Sequence, residues 1–132
     1  MNFKTKLNLM SDAKNEGSNR KVIIFSMDSI TLTPINNGVN PYTTTLATKM
    51  NMFAKKNKLN IFTDVSRFSK IDSIGLDADI ILLTPELSEL KNEVKDKFPD
   101  KIIEVIEKAD YGLLNVNNIF KIITNLNYPG SK

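Results

Sequence analysis

The stretch VIIF at residues 22–25 and the stretch DIILLT at residues 79–84 decide the fold, because both are almost wholly apolar. Short apolar runs of this kind are typical of strands that a parallel sheet buries on both faces. Two further strand-like stretches, LNIFTDV at residues 59–65 and KIIEVIE at residues 101–107, carry polar residues within them, as less buried edge strands do. The sequence therefore predicts four strands, of which the first and the third are central.

Helical patterns separate these strands, and a short helix is one interpretation of the ambiguous residues 66–76. Strands that alternate with helices form a parallel sheet through right-handed crossovers. We therefore predict an α/β domain with a small four-stranded parallel sheet in the flavodoxin-like order 2-1-3-4 and helices on both faces. Apolar residues recur at helical spacing on three segments: Leu46, Met50 and Phe53 within 41–56; Leu87, Leu90, Val94 and Phe98 within 85–98; Ile119, Ile122, Ile123 and Leu126 within 116–126.

The composition bounds the class of protein. The chain has 132 residues, 41% of them hydrophobic, and a formal net charge of +3, which fits one domain. We assign residues 21–132 to that domain and the polar residues 1–20 to a flexible N-terminal arm. The lysines are interspersed with acidic residues, so we expect no nucleic-acid partner. Because the sequence has neither an apolar run of membrane-spanning length nor a signal-peptide pattern, we expect a cytoplasmic protein without direct membrane insertion.

The chain contains no cysteine and no histidine. This double absence excludes disulfides and thiolate chemistry, and it removes the usual general base and the usual neutral metal ligand. We therefore expect neither a metal nor a cofactor.

A long polar loop, residues 27–41, links the first strand to the first helix at the edge where such sheets bind ligands. It exceeds the usual length of about two to six residues, and the letters SITLTPINNG at residues 29–38 fit a small hairpin. A loop of this length at the ligand-binding end is often functional, and an insertion without function is the alternative.

The start of the first helix is a candidate anion site. Asn40 and Pro41 suit a helix start. The amides of Tyr42, Thr43 and Thr44 would then have no partner within the helix, and together with the helix dipole they could hold a phosphate. Alternatively, the threonine hydroxyls satisfy only local backbone groups.

Four stretches together resemble the cytoplasmic IIB component of the lactose/cellobiose class of the bacterial sugar phosphotransferase system. The resemblance covers about residues 21–126, and its most specific element is Asp110-Tyr111-Gly112 followed by Asn115. The stretches are KVIIFS at 21–26, TTTLATKM at 43–50, ADIILLTPELSELKNEVKDKFPDK at 78–101 and IEVIEKADYGLLN at 103–115.

The resemblance implies a phosphoryl-transfer site at the end of the first strand. In the family, a cysteine there receives a phosphoryl group from a histidine of the IIA partner and passes it to sugar held by the membrane component IIC. Ser26 stands at the position of that cysteine. The family's serine and threonine residues, whose amides surround the phosphate, fall at Tyr42, Thr43 and Thr44, with Thr45 next to them, and the loop before them is longer than the family's.

Other residues at the carboxyl ends of strands are candidates for partner binding or for a structural role. Thr84 is expected to cap a helix that starts at Pro85, and Asn115 to cap the final helix. By the resemblance, Asp110 and Tyr111 lie in the turn between the last strand and that helix, where we expect them to shape the turn.

The serine at residue 26, where the family has a cysteine, changes the expected chemistry. A serine hydroxyl is a weak nucleophile without an adjacent base, and the charge of Asp28 would also repel a phosphoryl group. We therefore predict a degenerate site in a IIB-like protein that binds IIA or IIC components, or a related regulator, without the family's transfer of phosphoryl groups to sugar. Two alternatives stay open: a working transport component with a non-cysteine acceptor, such as Ser26 or Thr43, and a sensor of phosphate or sugar phosphate.

Overall fold

The computed structural model describes residues 19–28 and 39–127, and their side chains as far as residue 124. The expected arm at residues 1–18 and the expected hairpin at residues 29–38 lie outside the described residues. Residue 20, which the sequence analysis assigned to the arm, begins the first strand.

Four parallel strands form the sheet, and their order is β2-β1-β3-β4. In this register Ile24 of β1 lies between Val65 of β2 and Leu82 of β3. The predicted order 2-1-3-4 is confirmed. The strands are β1 (Arg20–Ser26), β2 (Ile61–Arg67), β3 (Ile80–Leu83) and β4 (Ile102–Val105).

The polarity of each strand explains its place in the sheet. Residues Val22 to Ser26 of β1 and all four residues of β3 are buried, because these two strands have a neighbour on each side and helices on both faces. In β2 buried and exposed residues alternate, and β4 is mostly half-buried. The prediction of central and edge strands from apolar continuity is therefore confirmed.

Helices cover both faces of the sheet. They are α1 (Pro41–Lys56), α2 (Ile71–Ile74), α3 (Lys91–Lys97), α4 (Lys108–Gly112) and α5 (Val116–Asn127). Helix α1 has the predicted bounds. The segment predicted as one helix over residues 85–98 is instead a 3-10 helix at Pro85–Leu90 followed by α3; the spacing of Leu87, Leu90 and Val94 does not distinguish the two helix types.

Two apolar cores lie on opposite sides of the sheet. One core contains Val22, Ile24 and Leu82 from the sheet and packs against α1 and α5. The other contains Ile23, Phe25 and Leu83 and packs against α2, α3 and the 3-10 helix before α3. Because successive residues of a strand point to opposite faces, the two central strands contribute to both cores. Within the described residues, no helix is long and apolar enough to cross a membrane.

Candidate functional site

Two buried residues with hydroxyl side chains occupy neighbouring positions at the carboxyl edge of the sheet. Ser26 ends β1, and Thr84 follows β3 with its amide bonded to the Phe25 carbonyl at 3.1 Å. This bond extends the parallel register by one residue, so that Ser26 and Thr84 are lateral neighbours on the face that α1 covers. Both residues are 0% exposed, and neither hydroxyl has a hydrogen-bond partner in the described part of the chain.

Unpaired buried hydroxyls are uncommon, since a polar group without a partner costs about 1–3 kcal/mol. One other described side chain, Thr63 in the middle of β2, shares this condition. Ser26 and Thr84 differ from Thr63 in their place at the edge where ligands of such sheets bind.

The amino end of α1 is capped by its own chain. The Asn40 side chain accepts the Tyr42 amide at 2.9 Å. The Asn40 carbonyl accepts the amides of Thr43 and Thr44 at 2.9 and 3.3 Å. These three amides have no partner within helix α1, as expected, but Asn40 before the helix supplies two acceptors, so the amides are not free. Anion binding at these residues stays a prediction.

The threonine side chains at this helix end point to different surroundings. Thr43 is buried, whereas Thr44 and Thr45 are exposed. The Thr45 hydroxyl donates to the Pro41 carbonyl at 3.2 Å, a local backbone bond of the kind that the alternative interpretation describes.

A pair of tyrosines joins α1 to α4. The Tyr42 hydroxyl donates to the Gly112 carbonyl at 2.5 Å, and the hydroxyls of Thr43 and Tyr111 are 2.7 Å apart. The two tyrosine rings meet edge to face, with centroids 5.1 Å apart. Burial raises the pKa of Tyr111 and outweighs the opposing hydrogen bond to Thr43, while the nearby Glu86 and Tyr42 add smaller upward contributions. Tyr111 is therefore a neutral hydroxyl at physiological pH.

Asp110 organises the connection between α4 and α5. Its buried carboxylate accepts the Asn118 side-chain amide at 2.7 Å, and its carbonyl accepts the Asn115 amide at 2.8 Å. Asn115 caps α5 as predicted, because its side chain accepts the Asn118 amide at 3.2 Å. Asp110 and Tyr111 lie in the short helix α4 and not in the turn expected from the resemblance.

Asp28 is bound away from Ser26, on the turn that follows β2. Its carboxylate accepts the Ser69 hydroxyl at 2.6 Å and the Ser69 amide at 3.1 Å. Slight burial raises the pKa of Asp28, but the two bonds from Ser69 and the nearby Arg67 charge lower it more, and the net shift is downward. The sequence contained no signal for this pairing, because Asp28 and Ser69 are 41 residues apart.

Thr84 precedes the 3-10 helix that begins at Pro85, but its side chain makes no capping bond. The expectation that the Thr84 hydroxyl caps this helix is wrong. The Thr84 carbonyl accepts the Leu87 amide at 2.9 Å, while the hydroxyl stays buried next to Ser26.

Five of the predicted site residues thus fall into two groups at one edge of the sheet. Ser26 and Thr84 form a pair on adjacent strands, and Tyr42, Thr43 and Tyr111 form a bonded cluster between α1 and α4. Asn51, which the sequence analysis did not single out, binds the backbone of β2 through its side chain. The sequence signals Asn51 only as a polar side chain among Ala47, Met50 and Ala54, the apolar residues that α1 buries.

No protein-family model matches the chain. Among solved structures, the chain is similar to the lactose-specific IIB component domain of the phosphoenolpyruvate:carbohydrate phosphotransferase system from Streptococcus pneumoniae. The TM-score is 0.64 at 15% identity, over 82% of this chain and 97% of that one. It is also similar to the cellobiose-specific phosphotransferase IIB component protein from Borrelia burgdorferi, with a TM-score of 0.60 at 17% identity, over 83% of this chain and 93% of that one. At these identities the likeness is one of fold, and it confirms the fold that the resemblance implied.

Proposed function

We propose that this chain is a IIB-like protein of the lactose/cellobiose type of the sugar phosphotransferase system that binds partners of that system without accepting a phosphoryl group. The proposal rests on Ser26, whose buried hydroxyl ends β1 at the position where the resemblance places the family's cysteine. The shared fold with two IIB structures of this class supports the choice of system.

The surroundings of Ser26 do not favour a nucleophile. A serine needs a base within hydrogen-bond reach, but the hydroxyl of Ser26 has no partner among the described residues. The sequence contains no histidine. Asp28 is held by Ser69, and its lowered pKa makes it a weaker base. A phosphoserine, as an ordinary phosphate ester, would also be a poor donor to sugar.

Exposed apolar side chains next to this edge support a role in binding. Met27 follows Ser26 directly, and Leu113, which is 79% exposed, follows the carbonyl that binds Tyr42. A contiguous exposed apolar patch marks a surface that contacts another protein, and we infer that Met27 and Leu113 contribute to one such patch. We expect a IIA or IIC component, or a regulator that reads them, to bind here.

Phosphoryl transfer tests the first half of the proposal. A lactose-class or cellobiose-class IIA protein carrying ³²P on its histidine is mixed with this chain, and with a cysteine-containing IIB protein as positive control. We expect no label on this chain at times when the control is fully labelled. Label on this chain at the control's rate, followed by its transfer to sugar, would overturn the proposal.

Binding tests the second half. We expect the unlabelled IIA protein to bind and to shift the amide signals of Met27 and Leu113. Leu113→Ala should weaken binding about tenfold, the effect of losing about 1.4 kcal/mol. Leu76→Ala is the matched control, because Leu76 is 66% exposed but lies before β3, at the opposite edge of the sheet. Failure to bind any IIA, IIC or regulator of this class would count against the proposal.

The hydroxyls of Ser26 and Thr84, which have no partner in the part of the chain that the structure describes, favour a second candidate, a sensor of phosphate or sugar phosphate. An anion between these hydroxyls and the start of α1 would give them a partner and would stabilise the folded chain. The test is the melting temperature with inorganic phosphate or a sugar phosphate. Thr84→Val should abolish the ligand-induced rise, whereas Thr63→Val, which removes a buried unpaired hydroxyl elsewhere on the same sheet, should keep it. No rise in the unsubstituted chain would refute the sensor.

A further inference from the structure

Strand β2 lies at one edge of the described sheet, where a strand of another chain could pair with its outer side. Of the two edge strands described, β2 has seven residues and β4 has four. An edge strand carries a row of backbone donors and acceptors that can pair with another chain. Phe62 in this strand is 57% exposed, which adds an apolar contact for any strand that would pair there.

The register shows which backbone groups of β2 face outward. The Arg20 amide donates to the Asn60 carbonyl, and Val22 is paired with Thr63. In a parallel ladder, one residue directs both its N–H and its C=O toward the neighbouring strand, and the next residue directs both toward the opposite side. Asn60, Phe62 and Asp64 therefore bond to β1, while Ile61, Thr63 and Val65 face away from the sheet.

The side chain of Asn51 occupies the outward groups of Thr63. Its Oδ1 accepts the Thr63 amide at 2.7 Å, and its Nδ2 donates to the Thr63 carbonyl at 2.9 Å. One side-chain amide thus makes the two bonds that a peptide group of an added strand would make. The next outward amide, that of Val65, donates to the Asp64 side chain at 2.9 Å.

The setting of Asn51 supports a specific role for this contact. Asn51 is half-buried in α1 beside the buried residues Met50 and Ala54. A polar side chain in such a position is costly unless it is hydrogen-bonded, and both ends of this amide are bonded to Thr63.

We propose that Asn51 and Asp64 close the outer edge of β2 to strand pairing with a second copy of this chain. Asn51 is the main barrier, because it takes both the donor and the acceptor at the middle of the edge. A second copy is the occupant that the edge would accept, since it carries the same strand with the same exposed Phe62 and would bury both.

Asn51→Ala tests the proposal. The variant should raise the mass measured by light scattering above that of the unsubstituted chain, in a concentration-dependent way. At high dilution the Thr63 amide should exchange with solvent at least about tenfold faster than in the unsubstituted chain. Asn57→Ala is the matched control, because it removes a side-chain bond to the Phe53 carbonyl at the end of the same helix and leaves both bonds between Asn51 and Thr63 in place. This control should leave both the mass and the exchange rate of the Thr63 amide unchanged.

A second substitution separates edge pairing from loss of folding. Adding Phe62→Lys to Asn51→Ala should restore the original mass, since a lysine on an edge strand opposes pairing. The proposal is overturned if Asn51→Ala keeps the original mass, or if the added lysine fails to restore it. If Asn51→Ala does not fold, the rate at which the Thr63 amide exchanges with solvent in the unsubstituted chain decides. Slow exchange supports closure of the edge. Exchange as fast as that of an unbonded edge amide overturns the proposal.

Discussion

Hydrogen bonding separates the polar residues of this chain into two kinds. Asp110, Thr43 and Tyr111 are bonded to neighbouring helices and hold the carboxyl edge in shape. Ser26 and Thr84 are buried at the same edge, and their hydroxyls have no partner among the described residues. Because buried polar groups are nearly always paired, a ligand or a partner that bonded to these two hydroxyls would stabilise the fold.

At the scale of the residue, the bond between Asp28 and Ser69 predicts a pH dependence. A carboxyl whose pKa is lowered by folding adds stability above its unfolded pKa of about 4, and this stability is lost as the pH falls through the folded pKa. Ser69→Ala removes the 2.6 Å bond and should raise the pKa of Asp28 toward its ordinary value. Titration of the Asp28 carboxyl signal by NMR measures this.

The matched control for this titration is Ser73→Ala. The Ser73 hydroxyl donates to the Lys70 carbonyl in the same turn region, whereas both bonds to the Asp28 carboxylate come from Ser69. We expect it to leave the pKa of Asp28 unchanged. A pKa of Asp28 that is equal in the unsubstituted chain and in Ser69→Ala would contradict the assigned cause.

At the scale of the element, the packing of the segment between β2 and β3 depends on a glycine. A Cβ added at Gly75 would lie 2.8 Å from the tip of the Phe98 ring, which is buried at the end of α3. Gly75→Ala should therefore lower the free energy of unfolding by about 1–3 kcal/mol, as measured by urea denaturation.

Gly112 in α4 provides the comparison. A Cβ at Gly112 would meet no atom within 4 Å, and alanine is the better helix former. Gly112→Ala should leave the free energy of unfolding unchanged or raise it slightly. Equal losses from both substitutions would show that the contact with Phe98 is not the cause.

At the scale of the whole molecule, the central strands join the two cores into one folding unit. Leu82 lies in the core under α1 and α5, and Leu83 lies in the core on the other face. Leu82→Ala and Leu83→Ala should each cost about 2–5 kcal/mol. In both variants, probes on the two faces should report the same urea midpoint, because a small domain unfolds cooperatively. Separate midpoints for the two faces would contradict a single unit.

The sequence by itself determined the architecture of this protein. Uninterrupted apolar runs distinguished the central strands from the edge strands, and helical spacing placed α1 and α5, because burial on one or two faces imposes these patterns on neighbouring residues. The composition likewise excluded thiolate and imidazole chemistry at the carboxyl edge.

Only the tertiary structure decided how the polar residues are used. It paired Asp28 with Ser69, Thr43 with Tyr111 and Asn51 with Thr63, and it bonded the α1 amides to Asn40. Within the described residues it left the hydroxyls of Ser26 and Thr84 unpaired. A polar side chain has several possible partners near it in sequence and many more in space. Which partner it meets depends on how distant segments pack, and no local pattern of residues encodes that choice.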